Sequence, residues 1–343
     1  MGVSLSKIVH SKEISIRELQ DKVVIIDGMN MLYQFVTTIR QQDGTPLKDS
    51  KGNITSHLTG LFSRCTKFMA KNLKLVFVFD GEMPLLKTKE RLRREKLKTK
   101  AVQALKTATE AKNVEDMKKY AAQSAKVTKE MVEESKELLE ALGIPVIQAP
   151  SEGEAQAAHM VRKGDGYVVA SQDYDCLIYG APRMVKNLSL SLKRKKINAL
   201  RYSSLSPELL TLQDVLEELE ISLDQLRTLA MLIGTDFSIG GVKGLGPKKS
   251  LQLVKETSDL KTIFSKAEWN KHQEASWEEV YDIIAHMPVT DEYTLEWKDI
   301  NVKKVEELLV KKHEFSPTRI EHALEEIEQE RKKGRQTGLD AFM

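Results

Sequence analysis

Short apolar runs that end close to carboxylates recur through the first half of the chain. The runs and the acids that follow them are residues 22–26 before Asp27, 75–79 before Asp80, 144–148 before Glu152, and 167–171 before Asp173 and Asp175. The runs are rich in β-branched residues and nearly continuous, which is typical of strands covered on both faces of a sheet. Such strands restrict the chain to a layered fold in which helices cover the sheet.

Helical patterns lie between these runs, for instance over residues 56–71 and 127–142, and the second of them stops at Gly143. Alternating strands and helices predict an α/β fold with a mostly parallel central sheet flanked by helices. After about residue 205 the strand signal disappears, and short helical patterns interrupted by glycines follow. We therefore expect a helical second half packed on an α/β first half.

The composition narrows the class of protein further. The chain has 343 residues, of which 41% are hydrophobic, and this is enough to bury a sizeable core. Its two cysteines cannot form a disulfide framework or a four-thiolate zinc site, so we expect a reducing, cytoplasmic location. No run approaches the roughly 18 apolar residues of a membrane-spanning helix, and we expect no membrane partner.

Residues 87–100 stand apart because they contain eight basic and two acidic residues. The segment has almost no apolar stripe, so it cannot form a well-buried helix. Residues 101–125 are also polar and rich in alanine, and the two stretches together predict a helical excursion that stands off the sheet. From the residues alone, this excursion is either a solvated helix or a surface that meets polyanions.

Four aspartates are predicted to converge on one edge of the sheet. Asp27, Asp80, Asp173 and Asp175 all follow strands, and open α/β sheets bind ligands beyond the carboxyl ends of their strands. A cluster of like charges needs cations, and hard oxygen ligands suit Mg²⁺ or Mn²⁺. Two such ions about 4 Å apart are the usual device for in-line attack on a phosphodiester.

Three further acids each fit two interpretations. The stretch from Ser151 to Glu154 has the pattern of a helix start, with serine at the cap and an acid three residues later. It also follows a strand at the same sheet edge, so Glu152 and Glu154 share one site if Glu152 lies in the turn before the helix becomes regular. Asp236 follows an apolar helical pattern over residues 226–233 and is equally compatible with an ordinary loop acid.

A glycine turn in the second half suggests a phosphate contact. Gly244 and Gly246 precede Pro247, and Lys248 and Lys249 follow at once. Glycine permits close approach of the backbone, and proline suits the first helical position. The helix N-terminus then offers free N–H groups to a phosphate, independently of base sequence. The alternative is a simple joint between two helices.

The last eight residues, 336–343, follow a charged helix that we expect to end near residues 333–335. A frayed terminus is the ordinary interpretation of such a tail. The apolar Leu339, Phe342 and Met343 on an otherwise polar tail also fit a single apolar face that docks in a groove of a partner.

Short blocks in a specific order and spacing make the chain resemble the structure-specific 5′ flap endonucleases of the XPG-type nuclease family, of the archaeal kind. The blocks are residues 1–3, 26–30, 33–35, 39–41, 43–47, 54–58, 78–81, 143–145, 148–155, 170–175 and 234–236. The resemblance implies a PIN-like nuclease core with a helical arch and a helix–hairpin–helix. It implies five segments: 1–80 and 126–235 for the nuclease core, 81–125 for the arch, 236–335 for the helix–hairpin–helix with the C-terminal helices, and 336–343 for the tail.

The resemblance implies a two-metal active site. Two divalent ions, Mg²⁺ with Mn²⁺ as a substitute, would be held by seven carboxylates: Asp27, Asp80, Glu152, Glu154, Asp173, Asp175 and Asp236. Lys87 and Arg94 of the arch would be catalytic residues that face the scissile phosphate and offset charge in the transition state.

The resemblance also implies contacts with DNA. Tyr33 would stack near the end of the duplex, and Arg40 would lie in the wedge that separates the duplex arms. Thr55 and Arg64 would lie near a pocket for a one-nucleotide 3′ flap, and Gly2 would lie near the active site. From the residues alone, Tyr33 would usually be interpreted as a packing residue, and Arg40 and Arg64 as packing residues or solvated cations.

Two further partners follow from the same resemblance. The glycine turn with Lys248 and Lys249 would bind the backbone of the downstream duplex with the help of a K⁺ ion. The tail would bind a sliding clamp (PCNA), and the residues of this motif are Gln336, Leu339, Phe342 and Met343. Met343 stands at the position where a second aromatic residue is common in this motif.

The implied function is Mg²⁺-dependent removal of 5′ flaps from branched DNA near the junction of single and double strand. It would serve Okazaki-fragment maturation and base excision repair, with associated 5′→3′ exonuclease activity. We expect a monomer in the cytoplasm, associated with the nucleoid. Two alternatives stay open: a 5′→3′ double-strand exonuclease of the same family, and a non-catalytic scaffold that binds DNA and a clamp.

Overall fold

The computed structural model describes residue 3 and residues 5–188, 193–195, 202–204 and 206–340, with side chains except at 193–195, 202–204 and 331–340. Three of the predicted site residues, Gly2, Phe342 and Met343, lie outside the described residues. Gln336 and Leu339 are described by their backbone alone.

A seven-stranded sheet forms the centre of the fold, in the order β1-β9-β6-β5-β2-β3-β4. Its strands are β1 Lys12–Glu13, β2 Val23–Asp27, β3 Lys74–Phe79, β4 Val146–Gln148, β5 Val168–Ala170, β6 Arg183–Lys186 and β9 Glu208–Thr211; β7 Lys193–Lys195 and β8 Tyr202–Ser204 form a separate antiparallel pair. The five strands from β6 to β4 are parallel, whereas β9 runs antiparallel to β6 and β1. The expected mostly parallel sheet is confirmed.

The expectation that strands end near residue 205 is wrong, because β9 follows at Glu208–Thr211 and completes the sheet. Only Leu210 of its four residues is buried, so the strand has no continuous apolar run to reveal it. Its pairing with β6 and β1 supplies the stability that local sequence does not.

The chain forms helices between and after these strands. They are α1 Gly28–Thr38, α2 Ser56–Met69, α3 Thr88–Glu110, α4 Val114–Gln123, α5 Lys129–Ala141, α6 Gly153–Lys163, α7 Asp175–Ile178, α8 Leu212–Leu219, α9 Leu223–Ile233, α10 Pro247–Glu256, α11 Leu260–Lys266, α12 Trp277–Ala285, α13 Val302–Glu306 and α14 Pro317–Asp340. A π-helical turn, Glu307–Lys312, continues α13. Helix α14 runs past its expected end near residues 333–335, since glycine weakens a helix without forbidding it.

Apolar side chains leave the sheet on both faces. Ile25 and Val169 point to a core shared with α6, α7 and α9–α12, whereas Val24, Ile26 and Phe77 point to a core shared with α1, α2, α5 and the start of α14. Burial on both faces is the reason that the strand sequences are nearly continuous rather than alternating. The second half of the chain therefore packs on both sides of the sheet.

Residues 81–125, which include α3 and α4, contain the polar excursion that the sequence predicts, and we call this segment the arch. Of the 23 residues of α3, only Glu90, Ala101 and Ala108 are buried, while Leu92 and Val102 are exposed. Within the described part of the chain, we find no helix long and apolar enough to cross a membrane.

Candidate active site

Asp27 and Asp80 mark the edge of the sheet where the site lies. Asp27 is the last residue of β2 and caps α1, because its Oδ1 accepts the N–H of Asn30 at 2.9 Å. Asp80 directly follows β3, which pairs in parallel with β2, so the two side chains leave at the same edge. The Oδ1 of Asp80 accepts the N–H of Gly153 at 2.7 Å. This hydrogen bond ties β3 to the start of α6.

The start of α6 differs from the predicted capping pattern. Glu152, rather than Ser151, occupies the cap position, and its side chain makes no capping hydrogen bond. The Ser151 hydroxyl instead donates to the carbonyl of Glu82 at 2.9 Å. A β-carbon on Gly153 would lie 2.9 Å from the Asp80 carboxylate, so glycine permits this close approach. Glu152 therefore lies in the turn before the regular helix, as a shared site requires.

Glu154 and the aspartates after β5 are half-buried and complete this side of the cluster. The Ser171 hydroxyl lies 2.9 Å from Glu154 Oε1 and 3.2 Å from Asp27 Oδ2, so it bridges two carboxylates. Asp173 accepts a hydrogen bond at 3.2 Å from the side-chain amide of Asn30. Asp175 accepts the N–H of Val3 at 2.8 Å, so the N-terminal segment closes this side of the cluster.

Asp236 reaches the cluster from the second half of the chain. It follows α9 and lies in a turn that Thr235 and Ser238 stabilise by hydrogen bonds between their hydroxyl groups and backbone N–H groups. Lys87 Nζ lies 3.2 Å from its Oδ2, and Arg94 Nη2 lies 2.5 Å from its Oδ1. Asp236 is therefore not an isolated loop acid, since it contacts both of the predicted arch cations.

Burial and mutual repulsion disfavour the charged form of most of these acids. Burial, together with the charges of Asp80 and Asp173, raises the pKa of Asp27 to about 7. Burial is also the main cause that raises the pKa of Asp175 to about 7 and the pKa values of Glu152 and Glu154 above their usual range. Any cation that enters among these carboxylates stabilises their charged form.

Two cations of the arch already lie against the cluster. Lys87 Nζ is 2.5 Å from Glu152 Oε2, in addition to its contact with Asp236. Burial acts to lower the pKa of Lys87, but the charges of Glu152 and Asp236 outweigh it and the net pKa is raised. Beside these contacts is a cleft of about 630 Å³ lined by Asp80, Lys87, Arg94 and Glu152, among others. The arch and the cluster thus face each other across one cleft.

The donor set fits hard divalent cations. All seven acids offer oxygen, and clustered carboxylates are the ligands that Mg²⁺ and Mn²⁺ prefer. Among the described residues, however, no three acidic, histidine or cysteine side chains are already arranged as a metal site. Some of the carboxylate oxygens instead accept hydrogen bonds from Val3, Gly153 and Asn30 or form ion pairs with Lys87 and Arg94.

Replacing Asp27 by asparagine is expected to raise the melting temperature of the protein in chelator by a few degrees. Asparagine caps a helix as well as aspartate does, so the variant keeps the cap while removing one charge from a repelling cluster. The matched control is Asp259→Asn, which changes the cap of α11 outside the cluster and should leave the melting temperature unchanged. A melting temperature of the Asp27 variant below that of the wild type would contradict the prediction.

The structure places the predicted DNA-contact residues in different environments. Tyr33 on α1 is 41% exposed, and Lys98 of the arch lies 5.3 Å from the centre of its ring. Arg40 donates to the carbonyls of Thr37 and Gly44. Arg64 contacts Gln34 and the ring of Phe35. The ring of Tyr33 is therefore partly exposed beside a cation of the arch, whereas the two arginines make structural contacts.

Thr55 is buried at the start of α2 and lines a separate cleft of about 650 Å³. His313 and Phe315 line the same cleft, and His313 bridges Asp49 and Glu134 by hydrogen bonds of 3.1 and 3.0 Å. Arg64 is not part of this lining, so the structure does not bring it together with Thr55 in one cleft.

The glycine turn lies at the exposed start of a helix, as the sequence predicts. Gly244 has a φ of +90°, and Gly246 caps α10 with Pro247 at its start. Lys248 and Lys249 are exposed in the first turn of this helix. The two lysines and Gly246 are therefore exposed together at the start of α10.

The sequence of the chain matches known protein families and individual relatives. Residues 1–101 match the XPG N-terminal domain, and residues 143–236 match the XPG I-region. The chain is 43% identical to Flap endonuclease 1 of Aeropyrum pernix and 42% identical to Flap endonuclease 1 of Pyrococcus furiosus, in each case over 100% of this chain and 99% of the relative. The chain belongs to the flap endonuclease family. The two XPG regions together contain all seven carboxylates of the cluster.

A solved member of the flap endonuclease family has the same fold. The structure of flap endonuclease-1 from Methanococcus jannaschii superposes with a TM-score of 0.76 at 39% identity, covering 96% of this chain and 98% of that one. The expected nuclease fold with its mixed, mostly parallel sheet is confirmed.

The structure adds three polar residues that the sequence analysis did not single out. Asn30 contacts Asp173, Ser171 bridges Asp27 and Glu154, and Glu90 binds arginines of the arch. Asn30 and Ser171 lie within three residues of predicted site carboxylates, and this closeness in sequence is the signal that could have identified them. For Glu90 the signal is its spacing of four residues before Arg94, which permits contact on a helix.

Proposed function

We propose that the protein is a structure-specific endonuclease that removes 5′ flaps from DNA near the junction of single and double strand, with associated 5′→3′ exonuclease activity. The observation that carries this proposal is a cluster of seven carboxylates under a basic arch, in a chain of the flap endonuclease family. The reaction is hydrolysis of a phosphodiester, and its processes are Okazaki-fragment maturation and base excision repair.

The seven acids would hold two divalent ions, Mg²⁺ or in its place Mn²⁺. When bound, the ions supply Lewis acidity at the attacking and the leaving oxygen of an in-line displacement. The carboxylates differ in their other contacts: Asp27, Asp80 and Asp175 each accept a backbone N–H, and Ser171 orients Glu154. These contacts fix the directions of the side chains before any ion or substrate arrives.

Lys87 and Arg94 are the residues that would bind the scissile phosphate. Both side chains place their positive charge in the cleft, where they form ion pairs with Glu152 and Asp236. A phosphate that enters the cleft offers Lys87 and Arg94 negatively charged oxygens, as the carboxylates do. The two cations can therefore exchange carboxylate for phosphate without a large movement. They would then stabilise the negative charge that grows on the phosphate oxygens in the transition state.

Contacts away from the cut would select the shape of the DNA rather than its sequence. Tyr33 stacks on the end of the duplex, Arg40 acts as part of the wedge, and Thr55 and Arg64 lie near the 3′ flap. By the same resemblance, Gly2 would act near the active site. These roles rest on the family resemblance, and the exposed ring of Tyr33 supports the first of them.

The second half would hold the downstream duplex and a partner protein. Lys248 and Lys249, with Gly244 and Gly246, bind the phosphate backbone together with a K⁺ ion. The tail, from Gln336 to Met343, binds the sliding clamp (PCNA). We further propose that the protein acts as a monomer in the cytoplasm, at the nucleoid, and that the five segments inferred from the sequence are its functional divisions.

The proposal is tested by incubating the protein with end-labelled double-flap DNA in the presence and absence of Mg²⁺. Nicked duplex and single-stranded DNA of the same sequence are the controls. We expect one metal-dependent cut near the junction, release of an intact flap, and no cutting of the single strand. Uncut flap DNA in Mg²⁺ would contradict the proposal.

The same experiment separates the two alternatives. Stepwise release of mononucleotides from nicked duplex, without release of an intact flap, would favour a 5′→3′ exonuclease of the same family. Retained binding of flap DNA in a gel-shift assay with no cleavage would favour a scaffold. The complete set of acids, with Asp80 and Glu152 lining one cleft together with Lys87 and Arg94, favours the endonuclease.

A further inference from the structure

Helix α3 carries a buried carboxylate although it has no apolar face. Glu90 is 4% exposed, on a helix whose other charged side chains face solvent or the cleft. Charged residues on solvated helices are normally exposed, so a specific set of contacts must account for this burial. Those contacts come from two neighbours on the same helix, Arg93 and Arg94.

Three charge-assisted hydrogen bonds surround Glu90. Arg93 donates through Nε at 2.6 Å and Nη2 at 2.7 Å, and Arg94 donates through Nε at 2.7 Å. Arg94 uses its other end differently, because its Nη2 donates to Asp236 Oδ1 at 2.5 Å. Glu90 thus holds the base of the Arg94 guanidinium, and the tip of the guanidinium extends into the cleft.

We propose that Glu90 is a positioning residue that holds Arg94 in the orientation needed to bind the scissile phosphate. The inference rests on the proposed function and assigns a role to a residue that does not itself touch the substrate. An arginine side chain loses considerable rotamer freedom when it is fixed. Because Glu90 fixes Nε in advance, less freedom remains to be lost when the Nη atoms bind phosphate.

A simpler role for Glu90 is stabilisation of the helix. An acid in the first turn, three and four residues before arginines, favours helix formation. That role does not distinguish Arg93 from Arg94, because both pair with Glu90 on the same helix. The positioning role does distinguish them, because Arg94 contacts Asp236 at the cluster through the hydrogen bond described above.

The test introduces Glu90→Gln into the wild type and into the Arg93→Ala and Arg94→Ala backgrounds. Single-turnover cleavage of the double-flap DNA and the Kd for that DNA are measured for all six proteins. We expect Glu90→Gln to slow cleavage about tenfold in the wild type and in the Arg93→Ala background, with little change in Kd. In the Arg94→Ala background it should cause no further loss, because the side chain it positions is absent.

A second measurement does not depend on cleavage. In the free protein, the ¹⁵Nε–H signal of Arg94 should be slow to exchange with solvent in the wild type and fast in Glu90→Gln. Circular dichroism shows whether the variant keeps its helix content, and Glu90→Asp, which shortens the side chain but keeps its charge, should recover part of the rate.

Several outcomes would overturn the inference. They are an undiminished effect of Glu90→Gln in the Arg94→Ala background, a loss confined to Kd, and an Arg94 signal that is unchanged by the substitution. If the wild type cuts the flap and Glu90→Gln cuts it equally fast, only this inference fails. If the wild type leaves the flap uncut, the proposed function fails and this inference fails with it.

Discussion

Replacing Asp173 by alanine is expected to lower the single-turnover rate of flap cleavage by about a thousandfold or more, while flap DNA still binds. A thousandfold corresponds to about 4 kcal/mol of lost transition-state stabilisation, which is within what bound metal ions contribute. The variant keeps the arch, the glycine turn and Tyr33, which would supply most of the DNA contacts.

Asp173 is the informative acid because its removal disturbs the fold least. Asp27 caps α1, Asp80 binds the N–H of Gly153, and Asp175 binds the N–H of Val3. The carboxylate of Asp173, by contrast, is only partly buried and accepts a single hydrogen bond from Asn30, at 3.2 Å. A loss of rate in this variant therefore reports on chemistry rather than on folding.

The measurement pairs quenched-flow cleavage with a binding titration in chelator. The control is Asp282→Ala, because this exposed acid of α12 pairs with His286, which follows the helix. The control should cleave at the wild-type rate. If Asp173→Ala cleaved at more than about a tenth of that rate, the carboxylate cluster would not be the site of hydrolysis.

Replacing Lys87 by methionine is expected to slow cleavage by about a hundred- to a thousandfold, again with little change in DNA affinity. Methionine keeps much of the length of the side chain but removes the charge that lies 2.5 Å from Glu152 and 3.2 Å from Asp236. A preorganised donor aimed at developing charge typically contributes this much to a rate.

Lys89 provides the matched control for Lys87. It lies two residues further along the arch, is exposed, and pairs with the exposed Glu274 rather than with the cluster. Lys89→Met should cleave within about twofold of the wild type, since surface ion pairs contribute little. Equal losses in the two variants would mean that the arch acts through its total charge and not through a cation placed at the phosphate.

The strand-end acids could be predicted from the sequence because parallel strands dictate where they lie. Asp27 and Asp80 follow apolar runs, and the paired register of β2 and β3 places both at one edge. The contacts of Asp236 with Lys87 and Arg94 could not be predicted from spacing, since these residues lie on elements far apart in the chain. Only the family resemblance connected them before the structure did.

Other features could not be predicted from the sequence, for identifiable physical reasons. Strand β9 is half-buried and short, so tertiary pairing rather than apolar content determines it. The sequence predicts Ser151 as the helix cap. In the structure its hydroxyl donates to the carbonyl of Glu82, and Glu152 is the cap. The burial of Glu90 could not be predicted, because it comes from two arginines and not from apolar neighbours.

The most direct test of the central claim is the single-turnover rate of double-flap cleavage measured against free Mg²⁺ concentration. Two ions held by the seven carboxylates predict no cleavage in chelator, a rate that rises more steeply than in proportion to Mg²⁺ at low concentration, and saturation at high concentration. Asp173→Ala should stay inactive throughout the same range. Cleavage at the wild-type rate in chelator, or an unchanged Mg²⁺ dependence in Asp173→Ala, would contradict the account.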